Sequence, residues 1–309
     1  MKAKKEYWIL VLLITGLALY LLFHKRDRTG YEMPVLQELS ASQITKIEIA
    51  RPGAPAIALE RKNDAWILPP EAYPADAGKM EALLGSIGKL TLTTLVSESQ
   101  NYVRYGLGKE ERISVRAWAG DKLSRDFEVG KADPSAQSTF ILLRSDSRVF
   151  QARGHLKARF DQTLDDLRDK DVFKVEPSGV EALEVSDGKR TLILSRKATP
   201  GEEGEGQTQT AWESAEGKVD ESKVNQLLNA LSGLKCRAYL YEEKKSGFYS
   251  PVYSVKVKSK EEHGLSLYAK SENSKNDFPA VSSQNDSPFL LSDHQAKLIM
   301  VPLDQIVKP

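Results

Sequence analysis

The four histidines are the residues whose type best suits metal binding or proton transfer. They stand singly, and none has a second histidine at the H-x-x-x-H or H-E-x-x-H spacing of zinc sites. We therefore interpret them as exposed or capping side chains and predict no metal ion. The four are His24, His155, His263 and His294, the last near a predicted helix start.

Cys236 is the only cysteine, and its neighbours Lys235 and Arg237 could lower the pKa of the thiol and make it nucleophilic. It also directly follows the apolar stripe of a predicted helix, where a cysteine is usually a small hydrophobic core residue, and we interpret it so. A lone cysteine excludes an internal disulfide, a four-cysteine zinc site and a Cys-x-x-Cys redox pair.

A serine followed three residues later by a lysine occurs twice, as Ser86 with Lys89 and as Ser232 with Lys235. The spacing resembles that of the nucleophile and lysine of penicillin-interacting enzymes. Both pairs lie at the last turn of a predicted helix, and neither S-D-N nor K-T-G follows. We interpret them as ordinary helix-end residues.

An aspartate-rich run could hold a divalent cation or supply the paired carboxylates of a glycoside hydrolase. Its carboxylates are Asp161, Asp165, Asp166, Asp169 and Asp171. Their spacing is not that of a calcium loop, and Arg168 and Lys170 interrupt them, which favours a solvated, charge-balanced helix end. The chain also lacks the P-loop and G-x-S-x-G patterns. We predict no catalytic residue and no cofactor.

Charge and composition limit the function classes. The 44 Lys and Arg residues balance the 43 Asp and Glu residues, so no long-range field favours nucleic acid. A chain of 309 residues with 40% hydrophobic residues can fill two ordinary cores.

The N-terminal segment is uncharged from Tyr7 to Phe23 and has lysines or arginines on both sides. The stretch is just long enough to cross a membrane and ends in bulky and basic residues, not in a signal-peptide cleavage site. We expect an uncleaved anchor, over a cleaved signal peptide, with the N-terminus in the cytoplasm and the remainder outside. A remainder that faces the cytoplasm is the other reading.

The strands and helices that position these residues are predicted from the periodicity of apolar residues. Alternating apolar residues predict antiparallel strands at 43–50, 56–62 and 65–68, then at 112–118, 124–130, 138–144 and 148–152. Between them a helix is predicted after an N-cap at Asp76, and a second helical stretch at 154–168 closes the unit. The stripe of the first helix is Met80, Leu83, Leu84, Ile87 and Leu90.

The second half repeats this order. Strands are predicted at 179–185, 190–197, 251–258, 264–270, 278–281 and 288–291, and Trp212 stands where Trp66 stood. A helix after Asp220 carries the stripe Val224, Leu227, Leu228, Leu231 and Leu234. A short helix follows near His294. A period near 140 residues is the size of a duplicated domain.

We therefore predict an α+β protein with an anchor at 1–30 and two similar domains at 31–175 and 176–309. Each domain is a mainly antiparallel sheet with a packed amphipathic helix. The acidic segment 199–210 and the segment 270–277 are predicted to be solvated loops. The join is predicted near 167–179.

Several motifs stand out along the chain: "ITKIEIA" after the N-terminal segment, Trp66, "YPAD" at 73–76, "YGL" at 105–107 and "LRDKDVF" at 167–173. Together they resemble a bacterial domain-of-unknown-function family, the one numbered four-three-four-zero. The resemblance covers most of the chain after the N-terminal segment, most strongly 44–175. The family has no assigned catalytic residues. Its genes commonly lie beside those of an ABC permease and a gliding-motility-type auxiliary protein, which implies an accessory subunit of such a transporter.

We expect a non-enzymatic, extracytoplasmic accessory or scaffold subunit at the bacterial inner membrane, bound to that permease or auxiliary protein. The alternative is an envelope hydrolase or carbohydrate-binding protein with a site in the cleft between the domains.

Overall fold

The structure, a computed structural model, describes residues 5–23, 31–199, 209–270 and 276–308. The helices are α1 (Lys5–Phe23), α2 (Ala77–Gly88), α3 (Leu156–Phe160), α4 (Leu164–Leu167), α5 (Glu221–Leu231), α6 (Asp293–Ile299) and α7 (Leu303–Ile306). The strands are β1 (Lys46–Ala50), β2 (Ile57–Lys62), β3 (Ala65–Leu68), β4 (Tyr73–Pro74), β5 (Leu92–Ser97), β6 (Ile113–Ala119), β7 (Lys122–Ala132), β8 (Ser138–Leu143), β9 (Val149–Arg153), β10 (Asp171–Phe173), β11 (Ala182–Ser186), β12 (Thr191–Thr199), β13 (Gln209–Glu213), β14 (Lys218–Val219), β15 (Leu234–Lys235), β16 (Ala238–Tyr239), β17 (Tyr253–Lys258), β18 (Glu262–Leu267), β19 (Phe278–Ser282), β20 (Phe289–Leu291) and β21 (Val307–Lys308).

The chain divides into two compact units. The first contains Met1–Ala72 and Ala77–Thr163, and the second contains Tyr73–Asp76 and Leu164–Pro309. The second unit therefore takes four residues from the first half of the sequence. The predicted domain limits at 31–175 and 176–309 stay a prediction.

The first unit is an antiparallel sheet with α2 and α3. Its strands run in the order β3-β2-β1-β6-β7-β8-β9-β5. Alternation in β1 buries Ile47 and Ile49 completely, as expected of a half-buried strand. Helix α3 lies against β6, β7 and β8, where the Phe160 ring meets that of Phe127 edge-on at 5.8 Å. The core lies on this face of the sheet.

The second unit is also an antiparallel sheet with helices. Its sheet has eight strands in the order β13-β12-β11-β17-β18-β19-β20-β16. Helix α5 packs with α6 and α7. One cluster joins the α5 side chains to Val185 of β11 and Val255 of β17. If the strands of each of these two sheets are counted anew in chain order, both sheets have the same order, 3-2-1-5-6-7-8-4.

The predicted stripes are buried in both units. In α2, Met80, Leu83 and Ile87 are at most 2% exposed. In α5, Leu227 and Leu231 are completely buried. Asp220 caps α5 as predicted, because its carboxylate accepts from the backbone N–H groups of Ser222 and Lys223. Helix α2 begins directly after Asp76, where the sequence predicted it.

A short 3-10 turn precedes β1 (Ala41–Gln43) and another precedes β11 (Pro177–Gly179), and an arginine of the following strand, β2 or β12, holds each turn. Nη1 of Arg61 donates to the carbonyl of Ser42 at 2.9 Å. Nη1 of Arg196 donates to the carbonyl of Ser178 at 3.0 Å. Because the two arginines start from matching strands, the chain enters both sheets in the same way.

The α+β class with large antiparallel sheets is confirmed, and the predicted strands are present with small shifts at their ends. The predicted helical stretch at 154–168 is wrong as one element, because α3 ends at Phe160 and α4 begins at Leu164. The edge strands β5 and β16 were not predicted. The segments 199–210 and 270–277 fall largely outside the described residues, as does His24.

The apolar N-terminal stretch is helical, as α1. Among the described residues, no helix combines the length and the apolar character needed to cross a membrane.

We predict that Leu83→Ala and Leu227→Ala each lower the free energy of unfolding by about 3 kcal/mol, because each opens a cavity in a closed core. Hydrogen exchange should show the loss in the amides of β1 for Leu83→Ala and of β11 for Leu227→Ala. The controls are Glu81→Ala and Asn225→Ala, at exposed positions of the same helices. Equal losses from the controls would contradict the buried stripe.

Candidate functional site

The side chain of Arg168 lies between tyrosine rings. It follows α4, is only 3% exposed, and its Cζ atom lies 3.6 Å from the ring centre of Tyr73 and 3.4 Å from that of Tyr239. The Tyr241 ring is 5.5 Å away. All three distances lie within the roughly 6 Å range of cation–π attraction. We call Arg168, Tyr73, Tyr239, Tyr241, Asp165 and Lys170 the tyrosine–arginine cluster.

Backbone pairing brings Tyr73 to Arg168. The amide of Asp76 donates to the carbonyl of Leu167, and the amide of Asp169 donates to the carbonyl of Pro74, both at 2.8 Å. The "YPAD" and "LRDKDVF" motifs, about ninety residues apart in the sequence, are thus neighbours within the second unit. The rings of Tyr239 and Tyr241 come from β16 and the residues just after it.

Polar contacts surround the rings. Nη2 of Arg168 donates to Ser287 Oγ at 3.0 Å, whereas its buried Nε and Nη1 have no hydrogen-bond partner among the described residues. Oδ1 of Asp165 accepts from the Tyr241 hydroxyl at 3.0 Å, and Oδ2 lies 2.5 Å from Lys170 Nζ. Lys170 and the Tyr241 hydroxyl thus share the Asp165 carboxylate, and the aromatic faces supply the remaining stabilisation of the Arg168 guanidinium.

Tyr239 and Tyr241 are held as neutral phenols. Burial raises the pKa of Tyr239 and of Tyr241, and for Tyr241 the negative charge of Asp165 adds to the effect. The Tyr239 hydroxyl donates to the carbonyl of Asp169 at 2.7 Å. In this state the phenols donate hydrogen bonds and do not act as bases. The arrangement can hold a cation and two chain segments in place.

Cys236 belongs to the core of the second unit, as predicted. Burial raises the pKa of its thiol from the ordinary value of 9.0 to about 11, although Lys170 works in the opposite direction. Desolvation outweighs the effect of Lys170 and Arg168, the two cations that lower the pKa of the thiol.

The other residues with candidate chemistry lie apart. His155 and His294 are exposed, and His263 contacts the Phe173 ring. The hydroxyls of Ser86 and Ser232 donate to backbone carbonyls of their own helices, as helix-end serines do.

The aspartates of the 161–171 run do not converge. Asp161 pairs with Arg51 at 3.5 Å, Asp165 with Lys170, and Asp171 with Lys235 at 2.6 Å. Among the described residues, no group of three metal-ligating side chains is present. The contacts agree with a charge-balanced segment.

The tyrosine–arginine cluster was missed by sequence reasoning. Arg168 was noted only as a charge that balances aspartates, and the tyrosines of "YLYEE" were not considered. The motifs "YPAD" and "LRDKDVF", which carry the family resemblance, are a usable signal for this cluster because the fold pairs them. Nothing local in the sequence indicates that Tyr241 joins them.

The comparisons with known proteins bear on the same residues. A family model described as Domain of unknown function (DUF4340) matches residues 66–267. The chain belongs to this DUF4340 family. No curated protein and no solved structure matches it. The DUF4340 match begins in β3, contains Tyr73, Arg168 and Tyr241, and ends in β18.

We predict that Arg168→Ala lowers the stability of the second unit by about 2–4 kcal/mol, since it removes stacking on two rings and leaves a cavity. Arg168→Lys should cost about half as much, because it keeps the charge and loses the planar stacking. Hydrogen exchange of the Asp76 amide measures the effect.

The matched control is Arg190→Ala, in the same unit. Its side chain is 52% exposed and lies 3.9 Å from Glu216, a surface pair of small energy. If hydrogen exchange of the Asp76 amide is unchanged in Arg168→Ala, the stacking of Arg168 does not stabilise this part of the fold.

We predict slow alkylation of Cys236 by iodoacetamide at pH 8.5 in the folded protein and fast alkylation after unfolding. The thiol also makes stability depend on pH. Below pH 9 both states keep the proton, whereas between pH 9 and about 11 only the folded state keeps it. The free energy of unfolding should therefore fall by about 1.4 kcal/mol per pH unit in that window. Cys236→Ala should make the fall shallower; an identical pH profile would contradict the raised pKa.

Proposed function

We propose that this DUF4340 protein is a non-enzymatic accessory or scaffold subunit of an ABC-type, gliding-motility-like transporter complex. One observation carries the non-enzymatic part of the proposal. Three residues of the motifs that carry the family resemblance, Tyr73, Arg168 and Lys170, are occupied within the tyrosine–arginine cluster. Groups that stabilise the fold in this way are suited to present a surface and not to react with a substrate.

The transporter part of the proposal is supported by the family resemblance. The expected partners are an ABC permease or a gliding-motility-type auxiliary protein, because their genes commonly lie beside those of the family. The balanced charge of the chain agrees with protein partners more than with nucleic acid.

We also propose that the two units are copies of one domain. The common strand order, the matching helix stripes and the arginine-held 3-10 turns support this. A further similarity lies at the residue before each long helix: the amide of Asp76, before α2, donates to the carbonyl of Leu167 at 2.8 Å, and that of Asp220, before α5, donates to the carbonyl of Ile306 at 2.8 Å. Unrelated sheets would rarely share these details together.

The membrane anchor is a third part of the proposal. Its support is the absence of charge between Tyr7 and Phe23, the basic flanks, and the exposure of apolar side chains along α1, such as Leu12 at 75% and Leu17 at 64%. Exposed apolar surface of this extent favours burial in a bilayer or against partner helices. The remainder would lie outside the cytoplasm, at the inner membrane.

We predict that the neighbouring permease co-purifies with the full chain in mild detergent. The full chain should also stay in the membrane fraction after carbonate extraction. Leu12→Arg with Leu13→Arg should release it, because each charge in the middle of a span costs about 3 kcal/mol.

Leu12→Ile with Leu13→Ile is the control and should stay in the membrane fraction. Full extraction of the wild type would refute the anchor. A chain that purifies alone while the permease is present would refute the scaffold.

A further inference from the structure

Each unit carries a groove beside its long helix. In the first unit the groove between α2 and α3 has a cavity volume of about 480 Å³, and in the second the groove between α5 and α6 has one of about 840 Å³. When Asp76 is aligned with Asp220, the α2 residues that line the first groove match the α5 residues that line the second. The matched pairs are Gly78 with Ser222, Glu81 with Asn225, Ala82 with Gln226, Gly85 with Asn229 and Ser86 with Ala230.

The two grooves differ in charge. The α2–α3 groove is lined by the cations Lys89, Arg153 and Arg159 and by a single carboxylate, Glu81. The α5–α6 groove is lined by Ser222, Asn225, Gln226, Asn229, Ala230 and Leu298. The same position in the fold is thus cationic in one unit and neutral in the other.

The three cations of the α2–α3 groove have no carboxylate partner within 4.0 Å in the described part of the chain. Arg153 and Arg159 are exposed, and Nη1 of Arg159 donates only to the carbonyl of Ala82, at 3.4 Å. Exposed cations around a concave surface create a positive potential that attracts carboxylates.

The floor of the groove also leaves room that the chain itself does not use. A Cβ atom added at Gly85 would meet no other atom within 4 Å. Internal packing therefore does not require glycine at this exposed position of α2, whereas a docked segment would gain a closer approach to the helix. A concave floor between two helices suits a peptide more than the flat surface of a membrane.

We propose that the α2–α3 groove docks an acidic segment of a partner protein, whose carboxylates pair with Lys89, Arg153 and Arg159. This inference rests on the proposed scaffold function and names the chemistry of its partner. The α5–α6 groove, at the matching position of the second unit and with no cation in its lining, does not bind that segment.

The probe is a fluorescent helical peptide of about 15 residues with glutamates along one face, and a second peptide with glutamine in their place. Fluorescence anisotropy measures binding to the full chain in mild detergent. We compare Lys89→Glu, Arg153→Glu and Arg159→Glu combined with a control that combines Lys62→Glu, Lys109→Glu and Lys122→Glu. The control lysines are exposed, lie outside the groove and change the net charge equally.

The affinity for the acidic peptide should fall about tenfold or more in the groove variant, remain within about twofold in the control, and weaken as salt rises. A groove variant with glutamine at the three positions should lose less affinity than the glutamate variant. Circular dichroism of every variant confirms that it is folded.

Equal affinities in the two charge variants, equal affinity for the glutamine peptide, or no binding to the wild type would overturn the proposal. So would binding of anionic phosphatidylglycerol vesicles, or a dimer of the chain, that depends on the same three cations while the peptide does not bind. The scaffold function is tested separately: if the permease co-purifies equally with the groove variant, the groove is not its docking site and the scaffold remains.

Discussion

The burial of one helix stripe against an antiparallel sheet is the constraint on which each unit depends. Five apolar positions of the segment that contains α2 and five of the segment that contains α5 must all face inward, because the strands of each sheet, such as β1 and β11, alternate and offer one apolar face. A shift of one residue in either element would turn leucines toward water. The helix start is therefore fixed as well, and an aspartate precedes it in both units.

This constraint explains which parts of the fold could be predicted from the sequence. Strands such as β1 and the two helix stripes have a local periodicity of apolar residues. The alternation of Ile47 and Ile49 and the spacing of the apolar residues around Leu83 were therefore sufficient to predict these elements. Strand β5 has two threonines at its centre and weak alternation, and β16 has only two residues, so neither has a usable pattern. Helices α3 and α4 are too short for a period to separate them.

The tyrosine–arginine cluster could not be predicted for a different reason. Its members come from 73–76, from the segment after α4 and from β16, and only the strand pairing brings them together. Charge pattern suggested that Arg168 would be solvated, but stacking on two aromatic rings reverses that expectation. The raised pKa of Cys236 is similar, since burial, which the local sequence does not show, outweighs the opposing charges of Lys170 and Arg168.

The aligned helical segments share leucine at three buried stripe positions and differ at the groove positions beside them. Interior positions are constrained by packing density, so Leu83 and Leu227 have the same residue type. The groove positions beside them are free of that constraint, and Gly85 is aligned with Asn229. If the units are copies, as proposed, then the differences on the surface are where the separate roles of the two units would reside.

The buried guanidinium of Arg168 is expensive to desolvate, and two of its nitrogens lack partners among the described residues. An apolar residue at this place would be the simpler solution, and Val307 occupies the equivalent place in the pairing of β21 with β14. An apolar residue, however, would not require the neighbouring ring to adopt one particular orientation. The Tyr73 ring must lie over the guanidinium, and a slip of one residue between 73–76 and 167–169 would turn it to the other side. The stacking therefore fixes the register of a pairing only a few residues long, which backbone hydrogen bonds alone would specify weakly.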